Sequence, residues 1–225
     1  MKNVLKFLLL ILCFASYTLH AQGDLKLGPE AGINYSLFNL KEDNQNATNE
    51  QSIFGLKLGL VAEYRFVDMF GLQTGIFFDQ SGSKGSILNG IKDVNNNIVN
   101  AEFRYDFNRL TLPLTAQVYF GDAQKLRVFL GGGPFVSFLL NGRRSYDAGD
   151  FKLPDNYESR EKIDFTGEGI HRLDYGVGIN LGIITSNGLF FKLSGAKGFA
   201  KNNLDNLSAI QWTQLHTGLS VGFLL

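Results

Sequence analysis

From Ile53 to Phe66 the chain alternates without a break. Phe54, Leu56, Leu58, Leu60, Ala62, Tyr64 and Phe66 share one parity; Ile53, Gly55, Lys57, Gly59, Val61, Glu63 and Arg65 share the other. Successive side chains of a strand point to opposite faces, so a period of two over this length specifies a β-strand with one apolar face. The pattern returns in Leu173, Tyr175, Val177, Ile179, Leu181 and Ile183, set against Arg172, Asp174, Gly176, Gly178, Asn180 and Gly182. It returns again in Leu215, Leu219, Val221, Phe223 and Leu225, set against Gln214, His216, Gly218, Ser220 and Gly222. Strands are predicted over 25–39, 53–66, 70–80, 104–120, 126–141, 170–185, 188–199 and 211–225. Short turns at 67–69, 121–125 and 186–188 alternate with long polar connections at 41–52, 81–103, 142–169 and 200–210.

Period two does not say which face is inside; the kinds of residue on each face do. The polar parity carries Gly28, Gly32, Gly55, Gly59, Gly71, Gly75, Gly131, Gly133, Gly176, Gly178, Gly182, Gly218 and Gly222, out of 26 glycines in the chain. Glycine weakens a strand and gains nothing on an open surface, but it fits a crowded interior. The strand charges fall on that same parity: Lys26, Glu30, Lys57, Glu63, Arg65, Asp79, Arg109, Arg127, Arg172, Asp174 and Lys192. A cation at the lipid-facing midplane costs about 2–4 kcal/mol, which explains a face without charge in its central stretch. The expected fold is all-β, an eight-stranded antiparallel up-and-down transmembrane β-barrel. Both termini should lie at the short-turn, periplasmic end, with Tyr64, Phe66, Phe70 and Phe120 in an interfacial aromatic girdle. An exported soluble ligand-binding barrel is the alternative, with its apolar face inward and a charged exterior.

The N-terminus reads as an export signal. Lys2 and Lys6 precede the apolar run Phe7–Ala15, which is too short to span a bilayer, and Ala21 offers a cleavage point. The expected organisation is a removed signal peptide at 1–21 and an outer-membrane β-barrel domain at 22–225. Cys13, the one cysteine, lies inside the signal, so the mature chain is expected to hold no disulfide. No later apolar stretch is long enough for a transmembrane helix. The location expected is the bacterial cell outer membrane, with outer-membrane lipid around a monomeric barrel. The formal net charge is zero, and no basic tract suggests a nucleic-acid partner.

Eight strands enclose only enough room for side chains, so lumen charges of both signs are expected to pair rather than conduct. No enzyme and no cofactor are expected. His216 shares the lumen parity with Gln214 and Ser220 but has no third group placed to orient it, and His171 reads as a loop-edge residue. Asp93, Asn95 and Asn97 resemble the start of a calcium loop, yet Ile98 and Arg104 stand where its glycine and bidentate glutamate belong. Gly131–Gly133 lacks the Gly-Lys-Ser/Thr of a phosphate loop. The connections 81–103 and 142–169 are the expected contact regions for a protein partner. Pro113 and Pro134 fall at one height of a single hairpin on opposite faces, so an interrupted ladder or a bulge is predicted there, with Gly131–Gly133 taking up the bend.

Five features occur in order: Ala21-Gln22 at the signal's end; Gly28, Gly32, Ile33 and Asn34; Leu110, Leu112, Pro113 and Leu114; Gly131–Phe135; and Asp174, Gly176, Gly178 and Asn180. Together they resemble the PorT-like outer-membrane β-barrel family over nearly the whole mature chain. The resemblance implies an eight-stranded outer-membrane barrel with no catalytic residues to carry over. The family's namesake works in the type IX secretion system. The functional expectation is a small barrel with a side-chain-filled lumen that acts as a structural or interaction protein through its loops, or as an accessory component of a type IX-like secretion system.

Overall fold

The computed structural model describes residues 24–42, 51–151, 161–163, 171–200, 202–203 and 210–225. The expected signal peptide at 1–21 and parts of the 142–169 connection lie outside them. Ten strand segments follow in chain order: β1 (Asp24–Glu42), β2 (Gln51–Val67), β3 (Phe70–Lys92), β4 (Ile98–Gly121), β5 (Leu126–Asp147), β6 (Glu161–Lys162), β7 (Leu173–Thr185), β8 (Leu189–Gly198), β9 (Asn202–Asn203) and β10 (Ile210–Phe223). The eight long ones form an antiparallel ring in the order β1-β2-β3-β4-β5-β7-β8-β10, which β10 closes by pairing with β1 from Glu30↔Gly222 to Glu42↔Ile210. The two-residue segments β6 and β9 add to β5 and β10.

Alternation predicts the faces correctly. Leu60 on β2 and Ile179 on β7 are 62% and 69% exposed, while Glu30 and Glu63 are each 2% exposed. The apolar parity looks outward all round the ring and the polar parity looks in, which is the membrane arrangement rather than the soluble one. Arg172 is an exception to the predicted lumen charges. β7 starts one residue later, at Leu173, and Arg172 is exposed before it, its carbonyl accepting a hydrogen bond from the Leu139 amide.

The register fixes the size of the barrel. Cross-strand pairs lead from Leu25 through Tyr64, Leu72, Ala116, Gly132, Ile179, Gly195 and Thr217 back to β1 at Tyr35, ten residues further along. At about 3.3 Å per residue and about 4.8 Å between strands, this stagger tilts the strands by about 40° and gives a radius of about 8 Å. Each residue then rises about 2.5 Å along the axis, so Leu110–Phe120 spans about 25 Å, the height of a membrane barrel's apolar band. Phe66, Phe70 and Phe120 ring the lower edge and Tyr35, Phe54, Phe138 and Tyr175 the upper edge, all exposed.

The strands outrun their predicted ends on the long-loop side. The region 81–103 is mostly strand: β3 runs on to Lys92 and β4 begins at Ile98. Beyond the apolar band the outward side chains become polar too, as at Lys84 and Arg104, so the alternation that marks a strand disappears while its hydrogen-bond ladder continues. The tip is a closed turn. Asp93 accepts hydrogen bonds from the amides of Asn95 and Asn97 at 2.8 Å each and from the Asn97 side chain at 3.0 Å, and Asn96 takes a positive φ of 65°. These bonds, that from the Asn97 side chain first, hold the Asp93 carboxyl below its ordinary value of 3.8.

The two prolines interrupt the ladder without shifting it. Pro113 pairs with Phe135, the next pair is Ala116↔Gly132, and the register is unchanged across the gap. A second gap, between Thr74↔Leu114 and Phe77↔Thr111, lies on the β3 side of Pro113, whose carbonyl accepts the Thr74 hydroxyl at 2.8 Å. Missing amide donors, not an inserted residue, account for both. The one slip in this hairpin lies elsewhere, between Asn108↔Asn141 and Arg109↔Leu139.

Aromatic rings fill the interior against glycine. A Cβ on Gly59 would stand 2.5 Å from Phe77 Cδ1, and one on Gly75 2.6 Å from Phe77 Cε2, so Phe77 lies across two strands that offer it bare backbone. Gly132 faces outward, and its nearest neighbour to such a Cβ is 3.6 Å away. Such a Cβ on Gly75 would also stand 2.5 Å from the Leu60 carbonyl oxygen, so Gly75→Ala is expected to cost about 1–3 kcal/mol by crowding both that backbone and Phe77, while Gly132→Ala costs nothing. Urea unfolding in detergent, read by heat-modifiable gel migration, checks the contrast; equal stabilities would refute this packing. As pH falls below 3.8, protonation of Asp93 should loosen the hairpin tip, because a carboxyl held low stabilises only above that range. Faster exchange of the Asn95 and Asn97 amides at low pH, abolished in Asp93→Asn, is the expected readout.

Candidate functional site

The lumen gathers the polar parity of all eight strands. Its centre is Glu30 on β1, whose side chain has no solvent exposure. Lys57 from β2 donates to its Oε1 at 2.9 Å, Lys192 from β8 to its Oε2 at 2.6 Å, and the Ser220 hydroxyl from β10 to Oε1 at 2.8 Å. The chain of contacts continues downward. Lys192 also donates to Gln73 at 3.3 Å, Gln73 to Glu63 Oε2 at 3.3 Å, and Arg65 Nε to Glu63 Oε1 at 2.6 Å. Two cations bear on the Phe77 ring, Lys57 at 4.2 Å and Lys192 at 5.8 Å from its centroid. Toward the outer end, Asn34 donates to Asp79 at 2.9 Å, Arg109 lies 3.8 Å from Asp174, and His216 shares a 2.9 Å hydrogen bond with Gln214.

The sum of charges explains why this polar core is tolerated. Within the band Lys57, Arg65, Arg109 and Lys192 meet Glu30, Glu63, Asp79 and Asp174, four cations to four carboxylates. A buried charge is costly alone and acceptable when paired and hydrogen-bonded. A cavity of about 120 Å³ remains beside Asn34, Asp79, Arg109, Asn180 and His216. Arg109 Nε and Asn180 Oδ1 find no hydrogen-bond partner among the described residues, and a polar space of this size accommodates ordered water.

Apolar plugs close both ends. Packed around the lower half of the Glu30 network, Val61, Phe77, Tyr119, Phe129, Ile184, Phe190 and Leu224 form one buried cluster, with Arg65 over the Tyr119 ring at 4.7 Å. Beneath it Arg127 reaches the Asp68 carbonyl at 2.9 Å. Above the cavity, Tyr105 and Phe107 stack at 6.4 Å and 6° between planes, and Ile163, 5% exposed, is held beside them by its amide, which donates to the Gly142 carbonyl at 3.1 Å. The sequence reading located the lumen charges but missed these aromatics. They sit on the polar parity, and their one signal was the glycine on neighbouring strands.

His216 is placed on the lumen side as predicted, held by Gln214; His171 is exposed just before β7. The structure does not bring them together with a nucleophile among the described residues. Asp93 spends its carboxylate on its own turn. No three His, Cys, Asp or Glu side chains among the described residues converge as a metal site.

Removing the shared carboxylate should leave two buried ammonium groups without a partner. Glu30→Gln is expected to destabilise the barrel by about 3–5 kcal/mol, and Glu30→Gln combined with Lys192→Met to recover part of that loss. Urea unfolding of the refolded variants measures both, and a Glu30→Gln barrel as stable as the parent would contradict the central role of this pairing.

Comparison with known proteins agrees with this geometry. Residues 20–203 match the model of the outer membrane protein beta-barrel domain family. Similar solved structures include the outer membrane protein OprG from Pseudomonas aeruginosa, 14% identical, covering 92% of this chain and 97% of that one at a TM-score of 0.49. Neisserial surface protein A is 13% identical over 88% of this chain and 97% of that one, with a TM-score of 0.39. Ail, the attachment invasion locus protein of Yersinia pestis, is 12% identical over 88% and 98%, with a TM-score of 0.35. No curated protein matches the chain significantly. The closed ring, the outward apolar band and the family match lead to one conclusion: the chain belongs to the outer membrane protein β-barrel domain family and is a small barrel of the bacterial outer membrane.

Proposed function

We propose that this barrel is a structural and interaction protein that works from its two rims and not through its lumen. One observation carries the reading: the charge-balanced centre is stoppered by an apolar cluster below and by Tyr105, Phe107 and Ile163 above. What the molecule offers to its surroundings is the sheet of β3, β4 and β5. From Gln80, level with the upper ring, to Ile91, β3 climbs roughly 28 Å beyond the band at the strand rise used above. The reading includes export by residues 1–21, a monomeric barrel from residue 22 onward, and partner contact through 81–103 and 142–169.

The motif order shared with PorT-like barrels favours a finer version, in which the protein is an accessory component of a type IX-like secretion system. The projecting sheet supports this, because it gives a larger assembly a rigid, hydrogen-bonded edge to grip. In planar bilayers the purified protein is expected to give no reproducible single-channel step, and a stable conductance would overturn the plugged-lumen reading. Cross-linking in intact cells through residues placed at Val94 and Ile98, both exposed, should trap one defined partner. Its abolition by deleting 88–100 with the barrel still folded would assign the contact to this hairpin.

A further inference from the structure

On the outer wall, at the upper aromatic ring and just above it, the ladder between β2 and β3 breaks. Pairing ends at Lys57↔Asp79 and resumes one residue out of register at Ser52↔Ser83 and Gln51↔Lys84. Side chains take over the freed backbone: the Ser36 hydroxyl donates to the Gly82 carbonyl at 2.8 Å and accepts its amide at 2.9 Å. The break opens a groove of about 790 Å³ edged by Tyr35, Phe54, Lys84 and Arg104. A second depression of about 240 Å³ adjoins it and reaches Arg143. Phe54, 71% exposed, packs against Tyr35 with ring centroids 5.1 Å apart.

The charges round this groove are arranged against the interest of the bare sheet. Lys84 stands directly opposite Arg104, and Arg143 directly opposite Lys162. Like charges facing each other across a ladder repel and destabilise it. One carboxylate lies among the four cations: Asp106, which sits opposite Arg143 and takes Arg104 Nε on both oxygens at 3.0 Å. Glu102 and Asp147 face each other on the next row, further from the membrane. Lys84 and Arg143 make no ion pair among the described residues. By the strand rise used above, the cations stand about 10 Å above the aromatic ring, at headgroup depth, over an apolar wall that includes Leu58, Ile76 and Leu112.

We propose that this groove is a binding site for a phosphate-bearing glycolipid of the surrounding leaflet. Its phosphate sits between Lys84 and Arg104, its sugar lies against Phe54, and its acyl chains run down Leu58, Ile76 and Leu112. A phosphate between the two cations turns their repulsion into two charge-assisted contacts. The acyl chains keep the headgroup at the height of the break, which a free phosphate ion has nothing to do.

The test uses the full mature barrel in detergent micelles with lipid A, dephosphorylated lipid A or inorganic phosphate, bound lipid being counted by native mass spectrometry. Phosphorylated lipid A should bind, and Lys84→Gln with Arg104→Gln should weaken it about 25-fold, about fivefold for each cation near the surface. Lys197→Gln, on the far wall at the same membrane edge, should change nothing. Thermal unfolding gives a second readout. Without lipid the double variant should be at least as stable as the parent, and added lipid A should raise the parent's midpoint more than the variant's. Equal binding by the double variant or by dephosphorylated lipid, or displacement by millimolar inorganic phosphate, would overturn the proposal.

Discussion

Backbone hydrogen bonding in hydrocarbon is the constraint from which the rest of this molecule follows. No water is available there to meet an exposed amide or carbonyl, so a sheet that crosses the bilayer must close on itself. Here β10 closes onto β1, and the last residue joins in, with the Leu225 amide bonded to the Leu27 carbonyl at 2.8 Å. Closure with eight strands and a ten-residue stagger leaves a lumen about 8 Å in radius at the backbone. Every interior choice answers to that width. Phe77 can occupy it because Gly59 and Gly75 contribute only backbone on either side.

The same closure decides how the interior charges are used. A carboxylate in so narrow a space can be reached from several strands at once. Glu30 is met by Lys57, Lys192 and Ser220, from three different strands. Such a network binds the wall across its diameter, where ladder bonds act only between neighbours. The cost is a set of charges that stand or fall together, which is why the pairing is balanced and why apolar plugs above and below keep water from competing for it.

Where the ladder itself fails, the fold supplies substitutes. Pro113 withholds a donor, and beside the gap the Thr74 hydroxyl donates to Pro113's own carbonyl. The β2–β3 break is bridged by Ser36 and by the contact from the Leu56 amide to Gln80 Oε1 at 3.4 Å. The first break lies beside the lumen cavity, which Pro113, Thr115, Gly133 and Pro134 help to line. The second lies at headgroup depth, and there the wall opens into a groove rimmed by cations.

Much of this was legible in the residues alone. Alternation marked every barrel strand, and the placement of Glu30, Glu63, Lys57 and Lys192 on the glycine-rich parity told inside from outside, because lipid rejects charge and water does not. The aromatic girdle at Phe66, Phe70 and Phe120 was legible for the same reason. Strand ends were not: past the apolar band the outward side chains turn polar as well, as at Lys84 and Arg104, so the period fades while the ladder continues. Nor could one-dimensional pattern show which charge meets which, since Glu30 and Lys192 lie 162 residues apart and touch only across a closed ring. The sequence by itself determined a barrel with its polar face inward, through the period of two and the chemistry of each parity. Only the tertiary structure decided the stagger, and with it the plugged lumen, the partners of each charge, and the meeting of Lys84 with Arg104 beside a break in the wall, because register between strands is set by closure and not by any strand alone.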